Sequence, residues 1–307
     1  MKPIYYWRYT LRSRSHLNAA SIRTEHEGAL IKIGEGHGCL HPWPELGDAP
    51  LDAQLKILSE GRETPLIEGA KQCAECDEQL REVQVGIAGC RIPTSHWLVR
   101  PGDDPEFARE EGFAFAKIKG TGDLKLTRKI MGDWMAAGFQ IRLDFNECLP
   151  AGGFLEFWNE LTWEERAAID FVEDPEAYGE SGWEPLRHAL VPIAVDRDPA
   201  QRLRQGDVLV MKPARPDWPA VPDSKYLITS YMDHAIGQMF AAYVATVAYG
   251  GETNAQRLPC GLLTHRCFED DEFFERIRTD GPRLLPVEGT GLGFDDLLEK
   301  LPWKRLN

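Results

Sequence analysis

The sequence has no run approaching 18 consecutive apolar residues, so no segment is a candidate to cross a membrane as a helix. Met1 to Thr10 carries no apolar signal core, and the expected compartment is the cytoplasm. Positive charge is scarce: 35 Lys and Arg face 49 Asp and Glu, a net charge of −14. Such a surface repels phosphate backbones and anionic lipid, which excludes a general nucleic-acid or membrane-surface role. Cysteine is sparse as well. The seven residues are an odd number and scattered, with one CxxC pair, Cys73 and Cys76, and they read as reduced thiols, not a disulfide framework. The chain shows no low-complexity tract and no evident repeat. It also lacks the glycine-rich turn after a first strand that a dinucleotide-binding sheet would carry.

What remains is an ordinary globular composition, 43% apolar and 27% charged over 307 residues, enough for a sizeable core in one large or two ordinary domains. From about residue 95 short apolar runs recur: 96–99, 113–118, 140–143, 168–172, 191–195, 208–211, 226–229 and 261–264. Most are too short for helices, and several are continuous, as strands covered on both faces are. Helix-like segments lie between them. Leu124 to Met135 is one, and Ile236 to Val247 is another, stopped by Gly250-Gly251. The alternation predicts a modified (β/α)8-type barrel, (β/α)7β, over residues 93–282. Residues 1–92 predict an α+β cap: a hairpin over Ser21 to Ile33 turning at Glu27-Gly28, a loop through Gly34, Gly36 and Gly38, and helices over Leu51 to Ser59 and Pro65 to Val83. The tail, 283–307, is expected to pack on that cap.

In a barrel the residues at the C-terminal strand ends face the active site. Successive runs end in Lys117-Ile118-Lys119, then Arg142-Leu143-Asp144 with Asn146, then Glu173, Asp196 and Lys212. Lysines two apart on a strand share a face. Asp174-Pro175 and Asp198-Pro199 read as helix caps followed by a first-turn proline, which leaves Glu173 and Asp196 free. Asp144, Glu173 and Asp196 converging at the mouth would repel one another, and an oxygen-only set of that kind suits Mg²⁺, with Mn²⁺ as a substitute. Lys119 beside the like charge of Lys117 is expected to have its pKa pulled from about 10.4 toward neutrality, as a general base needs. The chemistry expected is proton abstraction next to a carboxylate.

These residues in this order, KIK, RLDFN, FVEDP, VDRDP and VMKP, resemble the enolase superfamily, in its muconate-lactonizing-type subgroup. Within that subgroup the chain looks most like the o-succinylbenzoate synthase family. The stretch Ser230 to Gly237 is similar to that family's serine-rich segment. Leu40 stands where the family's cap loop has Glu, Arg197 where an acidic residue is common, and Ser230 alone remains of paired serines. The resemblance implies a carbon–oxygen lyase acting on a small-molecule carboxylate in menaquinone biosynthesis. It implies Mg²⁺ on Asp144, Glu173 and Asp196, Lys119 and Lys212 as catalytic residues, and substrate contacts from Lys117, Arg142, Asn146 and Ser230. An N-acylamino acid racemase, a dipeptide epimerase, a cycloisomerase and an inactive barrel remain alternatives.

Other features read as structural. Cys73 and Cys76 at i, i+3 suit a helix face better than a zinc site. His37, Cys39 and His41 follow a glycine turn. Gly289, Gly291 and Gly293 read as a turn, not a phosphate nest, and Phe157, Trp158 and Trp163 as outer-helix packing.

Overall fold

A computed structural model describes residues 2–17, 22–87, 91–219, 224–250 and 257–307. The cap is a four-stranded antiparallel sheet. Strand β1 (Ile4–Arg12) pairs with β2 (Glu25–Ile33), which pairs with β3 (Gly36–Leu40), and the short tail strand Lys304–Arg305 adds to the outer side of β1. Helices α1 (Leu51–Ser59) and α2 (Pro65–Glu82) complete it. Thr64 caps α2 by accepting from the Ile67 N–H, and Pro65 occupies the first turn, where its missing N–H costs nothing.

The hairpin differs from the expected one. β2 runs unbroken through Gly28 and turns at Gly34, while Ser21 lies outside the described residues. Gly28 is glycine for space: a Cβ there would lie 2.3 Å from the Tyr9 ring and 2.7 Å from His41 Nδ1. Gly36 and Gly38 belong to β3, not a loop. Cβ atoms on them would come within 1.9 and 2.1 Å of the Ala74 and Ala70 carbonyl oxygens, so their absence lets α2 lie directly on the strand.

The second layer is a parallel sheet in chain order: β4 (Trp97–Leu98), β5 (Phe115–Lys119), β6 (Gln140–Asp144), β7 (Ile169–Glu173), β8 (Ile193–Val195), β9 (Val208–Met211) and β10 (Lys225–Ile228). The eighth apolar run closes it. Cys260 N–H donates to Thr94 at 2.8 Å and Gly261 N–H to Ile228 at 3.0 Å, so this segment sits between β10 and the approach to β4. The strands are apolar throughout because both faces are covered: Ile118, Leu143, Phe171, Val172, Ile193 and Val195 are all buried. Helix α3 (Leu124–Ala136) is capped by Asp123, which accepts from Leu126 N–H. Helix α4 (Ala235–Tyr249) ends at left-handed Gly250, and Gly251 lies outside the described residues.

Three local expectations are corrected. Asp174 caps no helix; it has φ +42° and its carboxylate accepts from Asp196 N–H at 3.3 Å. Asp198 precedes a four-residue helix, but its side chain makes no cap hydrogen bond. Trp163 is 77% exposed, unlike Phe157 and Trp158, which are buried.

The tail is fastened to α2. Asp77 accepts from Leu292 N–H at 2.7 Å and from Arg81 Nε at 2.7 Å, and Arg81 reaches Asp295 at 2.5 Å. Gly291, at φ +59°, lies where a Cβ would meet Asp77 Oδ1 at 2.1 Å, so the glycine run serves this docking turn.

Candidate active site

Parallel register sets the site. Lys119 pairs with Asp144, and Asp144 with Glu173, so the ends of β5, β6 and β7 present these groups side by side. Asp196 follows β8 and Lys212 follows β9. Lys117 Nζ donates to Glu173 Oε2 at 2.6 Å and stands 2.9 Å from Asp144 Oδ2. Lys119 Nζ lies 2.5 Å from the same Oδ2 and 3.2 Å from Asn146 Oδ1. Lys212 is paired with Asp196. Three carboxylates and three ammonium groups therefore interleave across neighbouring strand ends.

Electrostatics follow from this interleaving. Burial opposes the charge on Asp144, yet Lys117 and Lys119 outweigh it and hold the carboxyl well below the usual carboxylate range. Burial and then the Asp144 charge push Glu173 up, against the pull of Lys117. Asp174, buried beside Asp196 and Glu173, is pushed up further. Burial works against the Lys117 ammonium, but Asp144 and Glu173 hold it protonated, with its pKa raised. The like charges of Lys117 and Lys119 do not meet directly, because the Asp144 carboxylate lies between them.

The carboxylates are also less open to one another than expected. Among the described residues no three His, Cys, Asp or Glu side chains form a ready metal-binding group, because ammonium groups occupy the space between them. The donor set still fits a hard divalent cation. It is all oxygen, and Asp144 and Asp196 both raise the cost of charge on Glu173, the mutual repulsion that a cation relieves.

A pocket opens beside this cluster, bounded by Lys117, Lys119, Asn146, Lys212 and Ser230 from the barrel and by Trp43 and Leu46 from the cap. Asn146 takes φ +45° and turns its N–H back to Asp144 Oδ1. Ser230 Oγ lies 2.5 Å from Thr264 Oγ1.

Arg142 is the exception among the expected substrate contacts. It shares the inward face of β6 with Asp144 but sits two residues deeper. It is fully buried between the Phe115 and Phe171 rings, bonded to Asp170 at 2.8 Å and the Pro259 carbonyl at 2.6 Å. Sequence reasoning missed His96, Trp43 and Tyr231, which also line the pocket. His96 opens a strand instead of ending one. Tyr231 follows Ser230 directly, and its ring lies 5.7 Å from Lys212 Nζ.

The fold has close counterparts. A mandelate racemase/muconate lactonizing protein from Herpetosiphon aurantiacus superposes with TM-score 0.72 at 13% identity, over 95% of this chain and 97% of that one. A dipeptide epimerase from Cytophaga hutchinsonii, crystallised with Mg and D-Ala-L-Val, gives TM-score 0.71 at 16% identity over the whole of both chains. Fold and site thus define a (β/α) barrel enzyme class with an antiparallel cap, the fold of these two proteins. The family model for the O-succinylbenzoate synthase N-terminal domain matches residues 4–80, and an o-succinylbenzoate synthase from Bdellovibrio bacteriovorus is 35% identical across 100% of this chain and 99% of that protein. The chain belongs to the o-succinylbenzoate synthase family, a family of lyases, and is an enzyme.

Proposed function

We propose that this enzyme dehydrates 2-succinyl-6-hydroxy-2,4-cyclohexadiene-1-carboxylate to 2-succinylbenzoate, with Mg²⁺ as its cofactor, in menaquinone biosynthesis. The observation that carries this reading is the interleaving of Asp144, Glu173 and Asp196 with Lys117, Lys119 and Lys212 beside the pocket. As they stand, three carboxylates and three ammonium groups balance. A divalent cation and a dicarboxylate substrate would add equal and opposite charge, so binding both would leave the net charge unchanged; the site becomes one unit more negative only when Lys119 gives up its proton to act as the base.

Asp144, Glu173 and Asp196 would hold the cation; Mn²⁺ has the same oxygen preference and is the natural substitute. When bound, it would offset the negative charge that grows on the ring carboxylate as the neighbouring C–H breaks. Lys119, as the free amine, takes that proton from the α-carbon. The electron pair then expels the hydroxyl from the adjacent carbon, and Lys119 returns the proton to it, so water departs from one face and the ring becomes aromatic. Lys212, four strands away, presents its ammonium to the charge from the other side. Lys117, Asn146 and Ser230 supply polar contacts to substrate; Arg142, fully buried, is not among them. Residues 1–92 and 283–307 act as the cap over the barrel of 93–282. The enzyme works in the cytoplasm on a small molecule; no helix among the described residues is long and apolar enough to cross a membrane.

A two-base racemase on the same scaffold would use Lys119 and Lys212 as exchanging bases. Incubation with an N-succinylamino acid in D₂O separates the two. The dehydratase reading expects exchange to be slow relative to dehydration. Fast deuterium entry into both enantiomers, with no dehydration of the cyclohexadiene acid, would overturn it.

A further inference from the structure

Among the described residues His96 is the one imidazole that lines the pocket, and the mechanism above gives it no task. It immediately precedes β4, 5% exposed, two strands along the sheet from β6 and farther from β7 and β8, the strands whose ends carry the three carboxylates. Its Nδ1 is 2.9 Å from Arg142 Nη1. A guanidinium can only donate, so Nδ1 accepts, and the neutral ring carries its proton on Nε2. Burial first, then Arg142 and Lys117, hold its pKa well below the ordinary histidine value, so the ring is neutral. Nε2 has no hydrogen-bond partner among the described residues. Room is kept beside it by Gly261, where a Cβ would lie 3.1 Å from Nε2 and 2.9 Å from Cε1. The side chain is thus a neutral donor of fixed tautomer, braced from behind and open to the pocket.

We propose that His96 Nε2–H donates to the ketone oxygen of the substrate's succinyl arm and fixes where that arm lies. The inference rests on the dehydratase reading. Under it the ring carboxylate belongs with Asp144, Glu173, Asp196 and Lys117, so the groups left to face β4 are the ketone and the far carboxylate of the arm. A buried donor without charge matches the neutral ketone; a carboxylate at that depth would call for a cation. The acyl group is attached to the ring carbon beside the one that loses its proton. The negative charge spreads to alternate carbons and does not reach that position. The hydrogen bond therefore orients the arm, and with it the C–H facing Lys119, without activating the substrate electronically.

The test compares two ligands by calorimetry: 2-succinylbenzoate and 4-(2-carboxyphenyl)butanoate, in which a methylene replaces the ketone. His96→Phe should weaken 2-succinylbenzoate about tenfold, the scale of one lost buried hydrogen bond, and the methylene analogue less than about twofold. His96→Gln, which keeps an N–H at similar reach, should recover part of the loss, and KM should rise more than kcat falls. His96→Leu serves the same comparison if the Phe variant does not fold. Equal weakening of both ligands, or of neither, in an enzyme that still forms 2-succinylbenzoate would overturn the role of His96. A wild type that neither forms nor binds 2-succinylbenzoate would overturn the dehydratase reading, and this inference with it.

Discussion

The Tyr231 hydroxyl of the barrel donates a 2.9 Å hydrogen bond to the Asp48 carboxylate of the cap. Arg215 stands 3.4 Å from the same carboxylate, and Trp43 Nε1 donates to the Tyr231 carbonyl at 2.9 Å. The cap segment that walls the pocket, Trp43 to Asp48, is therefore held by a barrel residue next to the site. Tyr231→Phe should loosen it, raising KM about fivefold with kcat nearly unchanged, since one hydrogen bond is removed and Arg215 keeps Asp48 partnered. Steady-state kinetics check the split; a loss confined to kcat would place Tyr231 in the chemistry instead.

Lys119 is the residue on which the proposed proton transfers depend. Lys119→Ala should cost about 10²–10⁴-fold in kcat, with ligand binding largely kept. Lys119→Arg should not rescue it, because a guanidinium does not deprotonate near neutral pH. Near wild-type turnover in either variant would remove Lys119 from that role.

Asp77 is fully buried and accepts four hydrogen bonds, from His37 N and Nδ1, Arg81 Nε and Leu292 N. Its carboxylate joins α2, β3 and the tail. Asp77→Ala leaves the His37 and Leu292 donors without their buried acceptor and Arg81 with Asp295 as its remaining carboxylate, and should cost about 3–5 kcal/mol of stability, read from denaturant melts. A loss below about 1 kcal/mol, the scale of an exposed ion pair, would show that the tail is held by packing alone.

Burial lowers the pKa of His234, the cap residue of α4, to about 3. The unfolded value is near 6.5, so the unfolded chain takes up a proton that the folded protein refuses. The stability from this neutral ring is complete above about pH 6.5 and falls as pH drops toward 3, by about 1.4 kcal/mol per unit. His26 and His265, each lowered to about 4, add in the same direction over a narrower window. Asp233, raised to about 7 by burial, acts oppositely: its contribution is complete below about pH 4 and lost as pH rises to 7. Net stability should therefore rise from pH 4 to 6.5, and His234→Gln should make that rise shallower by about one proton. An unchanged slope in thermal melts across that range would contradict a neutral buried His234.

Much of this architecture was legible in the sequence because fully covered parallel strands read as continuous apolar runs. All eight runs fall on barrel segments, and the polar tips of five gather at one end of the sheet. What was not legible depends on contacts distant in the chain. Gly28, Gly36 and Gly38 look like turn residues, but what they avoid is Tyr9, Ala74 and Ala70. Alternation puts Arg142 on the face of Asp144 but cannot give its depth. Asp174-Pro175 carries a local capping signal that tertiary packing overrides. His96 stands at the start of its strand, and nothing in the local sequence marks such a position as facing the pocket.

The central claim is that the three carboxylates serve a Mg²⁺-dependent dehydration. Its most direct test is to follow the aromatic absorbance of 2-succinylbenzoate as it forms from the cyclohexadiene acid, in wild type with Mg²⁺, in wild type with EDTA, and in Asp144→Asn with Mg²⁺. Product should appear in the first only, return to the second when Mg²⁺ or Mn²⁺ is restored, and stay at background in the third while circular dichroism shows a folded barrel. Full turnover in EDTA, or in Asp144→Asn, would contradict it.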